Sequence, residues 1–248
     1  ETYVGVDAPK GKGSSSAKTM EDKWIQDEDT LDTWFSSGTW TFSTLLKPNA
    51  KTNDLDAWIK QSPELKRFHP TNVLEPGYDI LFFWIARMML MTEYVMKEVP
   101  FKMVYLHGLV RDGLGRKMSK SIGNTIDPVG MIEKYGADAM GLSLVIGTTP
   151  GNDTRLSEDK IASYRNFVTK LWNISRFILS TTAKTNTKYP ISNTKLTLAD
   201  QWILAEFENL KQQVTEHIEE YRFSLAGEAL YEFTWSKLAD WYLEIAKV

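Results

Sequence analysis

The 248-residue chain has no cysteine, which excludes a disulfide framework, a thiolate metal site and a cysteine nucleophile, and suits a reducing cytosol. Its three histidines are scattered and form no zinc-ligand spacing, so no metal site is expected. Long hydrophobic runs are also missing. The longest, Ile80 to Ala86, is stopped by Arg87, far short of the roughly 20 residues that span a bilayer. Nothing at the start has the form of a signal peptide, and the expectation is a soluble, cytoplasmic protein without membrane contact. No charge of one sign prevails, with 29 basic against 32 acidic residues and a net charge of −3. Any contact with nucleic acid must then come from a local patch, because the whole chain sets up no attracting field. An initiator methionine is lacking too: Glu1-Thr2-Tyr3-Val4-Gly5 reads as a strand entering polar sequence, as in a piece of something longer.

What is present centres on Arg116-Lys117-Met118-Ser119-Lys120-Ser121-Ile122-Gly123-Asn124. Two lysines three apart, alternating with hydroxyls beside a glycine, offer mobile ammonium charges plus hydroxyl and backbone donors, which a polyphosphate needs as negative charge builds on it. The alternative is a solvated basic turn, and the flanking sequence decides between them. Residues 8–23 form a low-complexity polar loop. Asp27 to Gly38 brings an acidic start, two aromatics and a small-residue turn, also readable as a capped helix end. From Asn72 to Glu75 the pattern is extended; Pro76-Gly77 turns; an apolar stretch from Asp79 to about Lys97 is too long for a strand. Asp79 suits the N-cap or first turn of that helix, and Pro100 lies beyond its end. The run Phe101 to His107 is β-favouring and stops at Gly108. Together these predict a β-α-β unit with parallel strands and a right-handed crossover.

Ligands of open parallel sheets sit beyond the carboxyl ends of the strands, and those ends carry Glu75 to Asp79 and His107-Gly108. Arg111 to Arg116 reads as a tight hairpin presenting Lys117 and Lys120 over the same edge. Asp127-Pro128 opens a helix ending near Tyr135-Gly136. Residues 142–146 are mostly apolar, and 147–153 are a turn-rich boundary where a domain division is expected. The remainder reads as all helix. Ile161, Tyr164, Val168, Leu171, Ile174 and Ile178 keep helical spacing, while Lys160, Arg165, Lys170, Arg176 and Lys184 supply a basic stretch without an acid. After a linker over 180–196, Thr197-x-x-Asp200 has the form of a capping box. The stripes Trp202, Phe207, Leu210, Val214, Ile218, Tyr221 and Leu230, Phe233, Leu238, Trp241, Ile245 are read as the core of a helix bundle.

Lys117-Met118-Ser119-Lys120-Ser121 resembles the second signature of the class I aminoacyl-tRNA synthetases. Leu31 to Gly38, Gly77 to Met88 and Leu106 to Asp112 are similar to the valyl-tRNA synthetase branch of that family. Tyr164-Arg165-Asn166-Phe167 and Trp241-Tyr242-Leu243-Glu244 resemble its tRNA-binding helices, so the likeness covers nearly the whole chain. The family's other signature, His-Ile-Gly-His, is not found here, and Met140-Gly141 stands where the family usually has an arginine.

The resemblance implies an α/β fold followed by an all-α region: the second half of a class I Rossmann-type nucleotide-binding fold, then a helical bundle. It divides the chain into 1–25, the exit of an inserted editing domain; 26–150, the catalytic half with the lysine loop; and 151–248, a stem-contact region with part of the anticodon-binding helices. It implies catalytic roles for Lys117, Lys120, Ser119 and Ser121, and ATP contacts for Lys117, Met118, Lys120, His107, Gly108 and Gly77. Trp34, Asp79, Ile80 and Trp84 would hold the amino acid, and Arg165, Lys170 and Arg176 the tRNA. The cofactors so implied are ATP and Mg²⁺, the partners valine and tRNA(Val), the state a monomer. By itself the chain is expected to be inactive. Competing readings are an isoleucyl or leucyl enzyme and a non-catalytic tRNA-binding module.

Overall fold

Short side chains that can accept a backbone N–H stand where the first helices begin. Asp32 accepts from Trp34 N at 2.6 Å and opens α1 (Thr33–Gly38), which is followed by α2 (Trp40–Ser43). Asp54 accepts from Asp56 N at 3.0 Å and opens α3 (Leu55–Lys60); Pro63 at the first position opens α4 (Pro63–Phe68). A computed structural model describes residues 29–48, 52, 54–182 and 195–247 of this chain. The polar loop expected at 8–23, the segment 1–25 and most of the 180–196 linker lie outside the described residues.

The chain forms two compact units, one of residues 1–69 and 83–100, the other of residues 70–82 and 101–248. In the first, Phe42, Leu65, Ile85 and Met88 are buried, and the Thr41 and Thr92 hydroxyls share a buried hydrogen bond of 2.6 Å. The expected helix from Asp79 is present but winds unevenly. It starts as a tight 3₁₀ turn (Tyr78–Ile80), widens into a π-helical stretch (Leu81–Ile85) and becomes α5 (Ala86–Met96). Lys97, left-handed at φ 57°, ends it.

In the second unit, β1 (Thr71–Leu74) and β2 (Phe101–Val104) pair in parallel, with Thr71 opposite Phe101 and Val73 opposite Met103. The parallel pair is as the sequence predicts, but β2 stops short of His107. Pro76 has no N–H to continue the ladder, and pairing resumes only as a bridge between Gly77 and His107. A second parallel pair joins β3 (Val110–Arg111) to β4 (Thr154–Arg155). This corrects the all-helical reading of the remainder: Asp153 accepts from Leu109 N at 2.9 Å and from Arg111 Nε, which draws the following two residues out alongside β3.

The other elements are helical. α6 (Pro128–Tyr135) is capped by Asp127 and ended by Gly136 at φ 92°, as expected, and α7 (Ala137–Val145) follows directly. Next come α8 (Glu158–Thr182) and α9 (Leu198–Glu219), the latter with the Thr197/Asp200 capping box in place. α10 (Phe223–Glu232) leads into a π-helical segment (Phe233–Tyr242) and a last turn, α11 (Leu243–Ile245).

Among the described residues, three apolar clusters organise this unit. Ala139, Met140, Leu156 and Ile161 join α7 to the start of α8. Ile174, Ala239 and Leu243 form a second, and Ile203, Leu210 and Phe233 a third. The first cluster contains residues from both sides of the turn-rich 147–153 segment, so the compact units follow a different line from the segments implied by resemblance. The core reading of Phe207, Ile218, Leu230, Trp241 and Ile245 is corrected: they are 44%, 50%, 44%, 65% and 48% exposed. The π-helical winding turns Leu238, Ala239, Tyr242 and Leu243 inward instead.

Candidate active site

The lysine loop grows out of a hairpin whose turn is encoded locally. Asp at the first position and Gly at the fourth favour a type I turn; here Gly115 N donates to Asp112 O at 2.8 Å and Asp112 N to Arg116 O at 3.0 Å. Arg111 and Lys117 then bridge in antiparallel fashion, fixing where the loop begins. Met118 packs against the Ala139/Met140/Leu156/Ile161 cluster and so anchors the loop, while Ile122 is left exposed. The Ser119 and Ser121 hydroxyls share a hydrogen bond of 2.6 Å, and Ile122 N and Gly123 N both turn back to Ser119 O at 3.2 Å. Lys117 and Lys120 are exposed, and neither has an ion-pair partner among the described residues. Two uncommitted ammonium groups thus stand on an anchored loop.

The strand-end residues lie in the same unit. A Cβ built on Gly77 would fall 2.6 Å from Asp79 Oδ1 and 3.5 Å from His107 Cε1, so Gly77 lets the Asp79 carboxylate fold back toward His107. A Cβ on Gly108 would meet Asn152 O at 1.7 Å, which no side chain tolerates. His107 Nδ1 lies 2.9 Å from Gly108 O; a carbonyl only accepts, so in the neutral ring Nδ1 carries the proton and Nε2 is left as an acceptor. Beside them opens a cleft of about 340 Å³ lined by Glu75, Tyr105, His107, Gly108, Asn152 and Phe223 among others. Burial, and then the nearby Glu75 charge, raise the Tyr105 phenol above its usual value.

Of the residues implied to hold the amino acid, Asp79 and Ile80 belong to this unit, and Trp34 and Trp84 to the first. Within the first unit, Trp34 lies 6.2 Å from the Phe83 ring centroid and beneath the Arg87 guanidinium at 5.2 Å. Close packing brings α1 and α5 together: a Cβ on Gly38 would meet Met91 Sδ at 2.3 Å.

The basic residues of α8 do not make one patch. Arg165 and Arg176, 11 positions apart, lie within about 20° on the helix wheel, and Lys170 about 140° away. Lys170 is drawn to Asp240 at 3.2 Å and over the Trp235 ring at 5.1 Å. Arg165 and Arg176 remain exposed.

Several participants went unnoticed in the sequence. Asp112, only 7% exposed, accepts from Leu114 N, Arg116 N and Nε, and Asn124 Nδ2. The Asn124 bond, with those from Arg116, holds its carboxyl at about 2. Asp153 is held below the usual carboxylate range by Leu109 N, then Arg111, with the Tyr78 hydroxyl adding to both. The Asp-Gly turn hinted at Asp112; Asn124 and Asp153 carry no such signal, since the partners of Asn124 lie 5, 7 and 12 residues away and those of Asp153 lie 42 or more away.

Residues 9–157 match the family described as tRNA synthetases class I (I, L, M and V), and residues 200–248 the anticodon-binding domain of tRNA ligase. Among curated proteins, the valine–tRNA ligase of Clostridium tetani is 42% identical over 247 residues, covering 100% of this chain and 26% of that protein. That of Corynebacterium jeikeium is 46% identical over 256 residues, covering 98% and 25%. That of Carboxydothermus hydrogenoformans is 48% identical over 233 residues, covering 94% and 25%. The chain therefore spans about a quarter of the length of these relatives. Among solved structures, Mycobacterium tuberculosis methionyl-tRNA synthetase bound by methionyl-adenylate aligns with a TM-score of 0.62 at 28% identity, over 80% of this chain and 37% of that one. The ternary complex of Agrobacterium radiobacter K84 agnB2 LeuRS-tRNA-LeuAMS aligns at 0.74 and 21% identity, over 90% and 28%, a likeness of fold alone.

Proposed function

The chain belongs to the class I tRNA synthetases (I, L, M and V), and from that membership we propose that it is the part of a valine–tRNA ligase that holds the pyrophosphate end of ATP, one side of the valine pocket and the first tRNA-facing helices. The identities of 42–48% to valine–tRNA ligases support valine over isoleucine or leucine. In this reading residues 1–25 leave an editing insertion, 26–150 form the catalytic half, and 151–248 contact tRNA(Val).

The observation that carries the reading is the pair of exposed ammonium groups, Lys117 and Lys120, without ion-pair partners on a loop anchored by Met118. The valine carboxylate attacks the α-phosphorus of ATP; the bond to the β-phosphate breaks, and valyl-adenylate and pyrophosphate result. Charge accumulates on the leaving phosphates, where positioned cations act mainly by electrostatic stabilisation. Lys120, exposed in the loop's turn, and Lys117, exposed at its entry, take that role; Ser119 and Ser121 keep the turn closed. A ribose hydroxyl of tRNA(Val) then attacks the adenylate carbonyl carbon and releases AMP. Among the described residues no three His, Asp or Glu side chains gather around one point. Mg²⁺ would come with the phosphates of its ATP complex and would add positive charge there beside the Lys117 and Lys120 ammonium groups.

By the family resemblance, the Asp79 carboxylate in one unit is the partner for the valine ammonium, with Ile80 following it in the chain; the resemblance assigns the apolar surfaces of Trp34 and Trp84, in the other unit, to the same amino acid. His107 Nε2 and the Gly77 and Gly108 backbones face the nucleotide. Arg165 and Arg176 on one side of α8 offer the positive charge that phosphate contacts require. An apolar pocket sized for valine rejects isoleucine by size but discriminates poorly against threonine, for which valine-specific synthetases are the stock example at about a hundredfold.

The deciding experiment is amino-acid-dependent pyrophosphate exchange by a full-length protein carrying this chain. Exchange driven by valine, and at least about tenfold less by isoleucine or leucine, is expected. tRNA binding without exchange would replace this reading with that of a binding module.

A further inference from the structure

The lysine loop can only stabilise a leaving phosphate if its ammonium groups are both placed and unpaired, and the nearest acid, Asp112, lies five residues before Lys117. We propose that Asp112 and Asn124 form a latch that fixes the loop in its turned form while keeping both lysines uncommitted, Asp112 acting as a positioning residue and not touching substrate.

A carboxylate has about four acceptor sites, and every one on Asp112 is taken. Oδ1 accepts from Leu114 N at 3.0 Å and Arg116 N at 2.8 Å; Oδ2 accepts from Arg116 Nε at 2.8 Å and Asn124 Nδ2 at 2.9 Å. A saturated carboxylate beside a guanidinium gains little by turning to a lysine, so the hairpin keeps its own acid away from the ammonium groups. Asn124 closes the ring from the other side. Its Nδ2 also donates to Lys117 O at 3.1 Å, and its Oδ1 accepts from Ser119 N at 2.9 Å. One amide thereby holds residues 117 and 119 to Asp112, which lies at the base of the hairpin turn. The bonding pattern needs two donations and one acceptance from the same planar group, which suits asparagine and neither aspartate nor leucine. The stretch between the two anchors is left to turn, with Gly123 N on Lys120 O at 3.3 Å. The result is a loop ordered before the phosphates arrive, which is where preorganised charge accelerates a reaction.

As a step toward the valine-activating chemistry the latch rests on the function proposed above, but its structural half can be tested separately. In the full-length protein, Asp112→Asn faces an amide N–H₂ against the Arg116 and Asn124 donors, and Asn124→Asp removes both donations. The double exchange Asp112→Asn with Asn124→Asp restores a donor–acceptor pair. Trypsin cleavage after Lys117 and Lys120, followed by mass spectrometry under native conditions, is expected to quicken at least about tenfold in each single variant and to fall back in the double. Valine-dependent exchange is expected to lose about tenfold in kcat with KM for valine within about twofold, and to recover partly in the double variant. A urea midpoint within the wild-type range shows that a variant is folded; if a single variant is not, the double carries the comparison. Cleavage no faster in any folded variant overturns the latch. Faster cleavage with unchanged exchange overturns the positioning role and leaves the function standing. Absence of valine exchange in the wild type removes the function, and cleavage alone then decides the latch.

Discussion

The indole Nε1 of Trp84 donates to the carbonyl oxygen of Ser37 at 3.2 Å, tying the π-helical stretch Leu81–Ile85 to the end of α1. The tryptophan therefore has a structural duty besides any contact with an amino acid. Trp84→Phe removes this bond and part of the ring's packing, and should cost at least about 1 kcal/mol of stability, read from the urea midpoint. Trp84→Ala should in addition loosen selection of valine against isoleucine in pyrophosphate exchange. Equal discrimination in wild type and Trp84→Ala would leave Trp84 as a packing residue.

Lys120 stands exposed, with no ion pair among the described residues, so its removal should leave the fold intact. Lys120→Ala is expected to slow valine-dependent exchange at least tenfold, about 1.4 kcal/mol of transition-state stabilisation or more, with valine affinity nearly unchanged. Wild-type exchange in this variant would take the pyrophosphate role away from Lys120.

The depressed Asp112 carboxyl, at about 2, sets a pH window. Its unfolded value is about 3.9, so the folded state binds its proton less readily than the unfolded state. The stability it contributes is full above that unfolded value and is lost as pH falls through the folded one. Wild type minus Asp112→Asn stability, followed between pH 5 and 2, should decline across this window. A flat difference would show the carboxylate bonds to be worth no more than those of the amide.

Gly108 lies where a Cβ would meet the Asn152 backbone oxygen at 1.7 Å. Backbone must move to admit a methyl group there, so Gly108→Ala should destabilise by about 1–3 kcal/mol in thermal or urea unfolding. An unchanged midpoint would mean that the 147–153 segment yields freely.

What could be read in the sequence was whatever residues four or fewer apart decide. The Asp127-Pro128 start of α6, the Thr197/Asp200 box of α9 and the Asp112–Gly115 turn are of this kind. The parallel relation of β1 and β2 was legible because an intervening helix leaves little other choice. β4 was not, because two residues become a strand only through Asp153 reaching back to Leu109 and Arg111. Nor was the loss of Lys170 from the basic patch, which depends on Asp240 some 70 positions later. Lys117 and Lys120 announced themselves by pattern, whereas Asn124, with three bonds into the hairpin and loop, did not: an amide's work is defined by partners that the chain has yet to bring near.

The π-helical segment Phe233–Tyr242 has one further consequence. With bonds reaching five residues back, it contains slack that an α-helix lacks. Deleting one residue inside it gives the chain the option of rewinding as α-helix on both sides, so that Phe233 and Leu243 keep their places in separate clusters. The same deletion in α8 would turn Ile174 away from its cluster by about 100°. Length tolerance in this helical region is thus concentrated in one stretch, and protein engineers seeking a site for a shortened or lengthened linker-free helix would find it there.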